Sequence, residues 1–184
     1  MHDAFLRGEF DYVTWIAKSI SNFNEYGLTR QKLEDIIDKQ TEIMPGTLEL
    51  FRELDRRGIK KAIISGGIKN VYDIFAKKYD LKVDYLNMAT ELTFDKKGRL
   101  IGGIASNIDK NGKVTVLRGI CQEMGITMQE CSYVGDAPND LSILRKVGLP
   151  VAINTQSDEV KAAAYHVIDD KDISRLIQLL RSDN

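Results

Sequence analysis

The sequence predicts an α/β protein, a doubly wound parallel sheet carrying a small helical cap. Three observations point there. Residues 1 to about 44 are helical in pattern and hold no convincing strand. From Pro45 onward, short apolar runs alternate with amphipathic stretches, and that spacing calls for parallel strands joined by right-handed crossovers. Two of those runs lead straight into glycine-bearing polar loops, Ser65-Gly66-Gly67 and Gly135-Asp136-Ala137-Pro138-Asn139-Asp140. In open α/β sheets, ligands bind beside the carboxyl ends of strands, where such loops lie.

Taken in order, the cap spans 1–44 and the core 45–184. In the cap, Phe5, Phe10, Val13, Trp15, Ile16 and Ile20 form one apolar stripe; Leu33, Ile36 and Ile37 form another. Thr29 stands as an N-cap ahead of the second helix. The aromatic cluster of Phe10, Tyr12, Trp15 and Phe23 reads as core in preference to a substrate pocket, since at helical spacing aromatic side chains more often pack inward. Pro45-Gly46 marks the boundary, and Thr47 to Leu54 reads as an amphipathic helix stopped by Gly58. Lys61-Ala62-Ile63-Ile64 reads as a short strand running into Ser65-Gly66-Gly67, and 70–78 as a helix. Tyr85 to Met88 is a weaker strand, and Leu92 to Ile101 a β-hairpin turning at Lys97-Gly98. Val114 to Gly125 is a helix with Leu117, Ile120, Cys121 and Met124 facing in. Tyr133-Val134 is a buried strand ending at Gly135, with a helix from Asn139 carrying Leu141, Leu144 and Val147. A strand at 151–153, a helix at 157–164, a strand at 166–168 and a helix at 173–181 complete the chain.

Composition narrows the function classes. At 184 residues the chain suffices for one good core. Its 43% hydrophobic and 29% charged content is ordinary for a globular protein. A formal net charge of −1 gives no field favouring nucleic acid or an anionic membrane, and no apolar run approaches the roughly 20 residues that span a bilayer. The first residues lack the apolar stretch of a secretory signal. Cys121 and Cys131 read as buried free thiols in a reducing, cytoplasmic setting. With His2 and His166 they form no zinc-ligand spacing.

The loops carry the chemistry. The carboxylates of Asp136 and Asp140 at a strand end suit Mg²⁺, a hard cation that takes one or two carboxylates plus phosphate oxygens. The competing reading makes Asp136 a turn former and Asn139 or Asp140 an N-cap. Ser65-Gly66-Gly67 offers a hydroxyl and approachable backbone N–H groups before a helix, which suits an anion, or it is a plain turn. Lys113 opens a helix, where a cation opposes the helix dipole unless it meets an anion; otherwise it is a solvated surface lysine.

Together, and in this order, these segments resemble the haloacid dehalogenase superfamily and its phosphoserine phosphatase-like branch, over about Phe5 to Arg181. Ile64-Ser65-Gly66-Gly67 is similar to the second family motif, Lys113 to the third and Gly135 to Asp140 to the fourth. The resemblance implies a Rossmann-like core and a Mg²⁺-dependent phosphomonoester hydrolase acting through an aspartyl-phosphate. It implies that Ser65, Gly66 and Asn139 hold phosphate, that Asp136 ligates Mg²⁺, and that Asp140 holds Lys113 in the catalytic pair. A small phosphorylated metabolite is the implied substrate.

The family's first motif, Asp-x-Asp-x-Thr at the end of the central first strand, finds no counterpart: Asp3 and Asp11 lie in helical pattern. The core is expected to lack that strand and the chain to be inactive as it stands. It is either a shortened form of an active phosphatase, favoured by the intact Ser65, Lys113, Asp136, Asn139 and Asp140, or a catalytically dead binding or assembly protein. Without that strand, those ending at Ser65 and Gly135 would pair directly or keep open edges, which invite a homodimer or a strand-donating partner. The family's carboxylate-gripping arginine would fall at about Ala17, with Lys18 beside it; lysine lacks the bidentate fork. Phosphoserine is then one candidate among small phosphomonoesters.

Overall fold

The structure, a computed structural model, describes residues 9, 11–106, 108 and 112–180. The expectations placed on His2, Asp3, Phe5, Phe10 and Arg181 lie outside the described residues. Helices α1 (Tyr12–Glu25), α2 (Arg30–Gln40) and α3 (Thr47–Arg56) precede strand β1 (Ala62–Ile68) and helix α4 (Lys69–Tyr79). Then come β2 (Tyr85–Phe94), β3 (Leu100–Ala105), α5 (Gly112–Met124), β4 (Ser132–Gly135), α6 (Leu141–Leu144), β5 (Leu149–Ile153), α7 (Asp158–Ala163), β6 (His166–Ile168) and α8 (Leu176–Leu179). This is the mixed α/β architecture that the alternation of runs predicts.

Local chemistry sets the element ends. Asp11 caps α1 by accepting from Thr14 N at 2.7 Å, and Thr29 caps α2 by accepting from Lys32 N, as its place in the sequence suggests. Gly58, at φ +69°, adopts the left-handed backbone that ends α3. The hairpin β2–β3 is antiparallel, with Phe94 opposite Leu100, and turns through Gly98 at φ +76°.

The chain forms two compact units. One draws on Met1–Glu42, Ser65–Lys82 and Asn87–Lys110, the other on Ile43–Ile64, Val83–Leu86 and Asn111–Asn184. In the first, Leu33 and Ile37 of α2 pack with Leu92, Leu100 and half-buried Ile74 and Phe75, while Tyr12 and Ile16 of α1 pack with Ala89. The described members of the aromatic cluster are thus core: Tyr12 is buried, Trp15 is half-buried against it with ring centroids 5.7 Å apart, and Phe23 is half-buried.

In the second unit, β4, β5 and β6 form a parallel sheet in that order. Alternation along β5 shows the double winding. Val151 and Ile153 enter a cluster with Leu50, Leu176 and Ile177; Ala152, pointing the other way, packs with Leu141, Leu144 and Val160. Helices α3 and α8 therefore cover one face, and α6 and α7 the other.

Three sequence expectations need correction. The strand expected to stop before Ser65-Gly66-Gly67 continues through them to Ile68, because its neighbour β2 runs unbroken from Tyr85 to Phe94 and offers pairing partners. The weak strand and the first arm of the hairpin are one strand. The helix after Gly135 starts with a 3₁₀ turn at Pro138–Asp140 and is short, ending at Leu144. As to the open edges, among the described residues β1 pairs only with β2, and β4 only with β5.

Candidate functional site

Strand β4 delivers the second unit's polar loop. Val134 and Gly135 lie in register with Val151 and Ala152 of β5, so the chain leaves the sheet at its carboxyl edge at Asp136. Gly135 is required there: a Cβ on it would stand 2.7–2.9 Å from Cβ, Cγ and Oδ2 of Asp140. Without a side chain, the backbone lets Asp140 fold back under the strand end.

Asp140 is the hub of this loop and is 3% exposed. Its Oδ2 accepts from Asp136 N at 3.1 Å and Ala137 N at 3.2 Å, closing the loop on itself. Its Oδ1 accepts from Lys113 Nζ at 2.6 Å and Tyr133 Oη at 2.7 Å. Burial pushes the carboxyl toward its neutral form, but the Lys113 ammonium, the Tyr133 hydroxyl and the Ala137 N–H prevail and hold it below the usual carboxylate range. Lys113 is 5% exposed at the second residue of α5, so the cation that seemed misplaced against a helix dipole has its anion.

With both oxygens of Asp140 committed, the exposed carboxylate of Asp136 is what this loop presents to a ligand, and half-buried Asn139 follows on the same turn. Among the described residues, no three His, Cys, Asp or Glu side chains cluster as a ligand set. A cation at Asp136 would draw its other ligands from water and a bound anion, an arrangement that suits a hard, octahedral ion.

Ser65 and Gly66 belong to the first unit, near the end of β1, both half-buried. Gly67 N donates to Ser65 Oγ at 3.0 Å, so the hydroxyl hydrogen is free to serve another acceptor. Helix α4 starts at Lys69 with no side-chain cap from Ile68. The cap position expected near Ala17 and Lys18 falls on the exposed side of α1.

Two residues escape the sequence reading. Tyr133 reads in the sequence as an apolar strand residue, yet its hydroxyl donates to Asp140 Oδ1; a tyrosine in a short strand, three residues before an acidic loop, is the available signal. Tyr12 was assigned to core, yet its hydroxyl donates to Gly66 O at 2.5 Å. The 184 residues also contain one Asp-x-Asp, Asp170-Lys171-Asp172. Its oxygens serve local turns: Asp170 accepts from Asp172 N and pairs with Arg175, and Asp172 accepts from Ser174 N. It follows β6, at the far side of the sheet from β4.

Cys121 and Cys131 are free thiols with sulfurs 3.5 Å apart. Burial, then the neighbouring thiol, pushes Cys131 up to about 12. No helix among the described residues is long and apolar enough to cross a membrane.

Comparison with known proteins gives a consistent picture. The family model for haloacid dehalogenase-like hydrolases matches residues 22–145. The chain is 29% identical to phosphoserine phosphatase SerB2 of Mycobacterium tuberculosis over 154 residues, 84% of this chain and 36% of the relative. It is 29% identical to the phosphoserine phosphatase of Streptomyces coelicolor over 178 residues, 96% of this chain and 42% of the relative. The chain thus spans less than half the length of these two relatives. Among solved structures, a phospho-aspartyl intermediate analogue of phosphoserine phosphatase superposes with TM-score 0.77 at 25% identity, covering 97% of this chain and 82% of that one.

Proposed function

The chain belongs to the haloacid dehalogenase-like hydrolase family, and from that membership we propose that it carries the phosphate- and Mg²⁺-binding part of a phosphoserine phosphatase-like hydrolase of small phosphomonoesters. The observation that carries this reading is the Lys113–Asp140 pair, buried beneath an exposed Asp136 at the end of a parallel strand. A turn former or a surface lysine needs no such shell.

In this reading Asp136 supplies a carboxylate to Mg²⁺, whose bound form offsets charge on the phosphoryl oxygens. The residues fit that ion: Asp136 is an exposed hard donor, and Asp140 holds its loop through the N–H groups of Asp136 and Ala137. Lys113 neutralises negative charge, and Asp140 fixes its position. The family resemblance assigns the holding of phosphate to Ser65 Oγ and the Gly66 N–H in the first unit and to Asn139 in the second. Phosphoserine is the first substrate to test, because the relatives are phosphoserine phosphatases; the exposed Ala17 and Lys18 leave other small phosphomonoesters open.

The aspartate that would take the phosphoryl group as an aspartyl-phosphate has no Asp-x-Asp-x-Thr to carry it in these 184 residues. We propose that these residues by themselves turn over no phosphomonoester. That same observation favours a second reading, a catalytically dead family member kept for binding or assembly. Adding a polypeptide that carries a strand ending in Asp-x-Asp-x-Thr separates the two: turnover of an aryl phosphate appears under the first reading and not under the second. Magnesium-dependent turnover by the chain alone, lost in Asp136→Asn, would contradict the inactivity. The edge of β4 left without a neighbour among the described residues supports a homodimer or a strand-donating partner. Light scattering on the eluted protein tests this, and a strictly monomeric, fully folded chain counts against it.

A further inference from the structure

We propose that Tyr12 is a positioning residue of the phosphate cradle, holding the Gly66–Gly67 peptide so that the Ser65 hydroxyl presents its hydrogen to a bound anion. The inference rests on the reading of Ser65 and Gly66 as that cradle.

Tyr12 stands at the first turn of α1, 54 residues from Gly66 in sequence and in the same compact unit. It is 2% exposed, its ring set by Trp15, Ile16 and Ala89. Packing that fixes the two ring torsions fixes the place of the hydroxyl oxygen, and the hydroxyl donates to Gly66 O at 2.5 Å. A carbonyl oxygen and the following N–H belong to one rigid plane. Pinning Gly66 O therefore aims Gly67 N–H, which donates to Ser65 Oγ at 3.0 Å. A hydroxyl has one hydrogen. When Oγ accepts from Gly67, that hydrogen turns away from the Gly67 N–H and becomes the donor for a ligand oxygen.

The glycines are why a tether is needed. Gly66 and Gly67 have no side chain to restrict their torsions. A Cβ on Gly67 would press on Met88 Cε and on Ser65 Oγ itself, both at 3.2 Å, so a side chain there would disturb the hydroxyl it was meant to steady. The constraint is supplied from α1 instead. Helix α1 thereby acts on the cradle through the Gly66 carbonyl. A phenylalanine at position 12 would keep the packing and lose the tether.

The test compares the full chain with Tyr12→Phe, Ile16→Val and Ser65→Ala, reading two quantities: exchange of the Gly67 amide by NMR, and binding of inorganic phosphate with Mg²⁺ by calorimetry. One neutral hydrogen bond is worth roughly a fivefold change in an equilibrium. Tyr12→Phe is expected to speed Gly67 exchange and weaken phosphate binding, each about fivefold. Ile16→Val trims the same cluster without touching the hydroxyl and leaves both near wild type. Gly67 exchange unchanged in Tyr12→Phe, or speeded as much by Ile16→Val, overturns the tether. Phosphate binding absent from the wild type, or untouched by Ser65→Ala, overturns the cradle reading instead, while the exchange data still decide whether Tyr12 orders the peptide.

Discussion

Lys113 Nζ donates to Asp140 Oδ1 at 2.6 Å, with side chains only 7% and 4% exposed. The pair joins the first turn of α5 to the loop after β4. Breaking a buried pair by removing one member strands the other charge and costs about 3 kcal/mol or more. Lys113→Met and Asp140→Asn should each destabilise on that scale, and the double variant by less than their sum. Urea midpoints of the four proteins measure the coupling; strict additivity would mean that the two groups do not depend on each other.

Gly135 makes room for that carboxylate. Gly135→Ala places a methyl group 2.7 Å from Asp140 Cβ, an overpacking worth about 1–3 kcal/mol. The expected result is a lowered denaturation midpoint together with weakened Mg²⁺ binding at the neighbouring Asp136. Wild-type values of both would show that the loop relaxes freely.

A separate group contributes to the acid limit. Glu53 accepts from Arg56 and Arg57, which hold its carboxyl down to about 2 from the usual 4.5. The folded value lies below the unfolded one, so this group stabilises the chain above about 4.5 and loses that contribution as pH falls toward 2. Glu53→Gln should flatten the fall in urea midpoint across that interval relative to wild type. An equally steep fall in both proteins would assign the acid limit to other carboxylates.

Much of this was legible in the sequence because period and end signals agreed. Thr29 and Gly58 mark helix ends by chemistry that acts within one turn, and β6 was placed at its observed limits. The Lys113–Asp140 pair follows from the family resemblance; the helix dipole argument alone leaves Lys113 open between an anion partner and a solvated surface. What escaped depended on distant contacts. Whether Ser65-Gly66-Gly67 is a turn or a strand is decided by the neighbouring strand β2, which local glycine chemistry does not report. Tyr12 and Tyr133 were sorted by their rings, and the partners of their hydroxyls lie 54 and 7 residues away.

The proposed function turns on Asp136, which presents a carboxylate for Mg²⁺ beside bound phosphate. The most direct measurement is calorimetric titration of inorganic phosphate into the full chain, with and without Mg²⁺, in wild type and Asp136→Asn. Mg²⁺ is expected to tighten phosphate binding to the wild type and to have no effect on Asp136→Asn. Phosphate binding indifferent to Mg²⁺, or equally enhanced in both proteins, would contradict it.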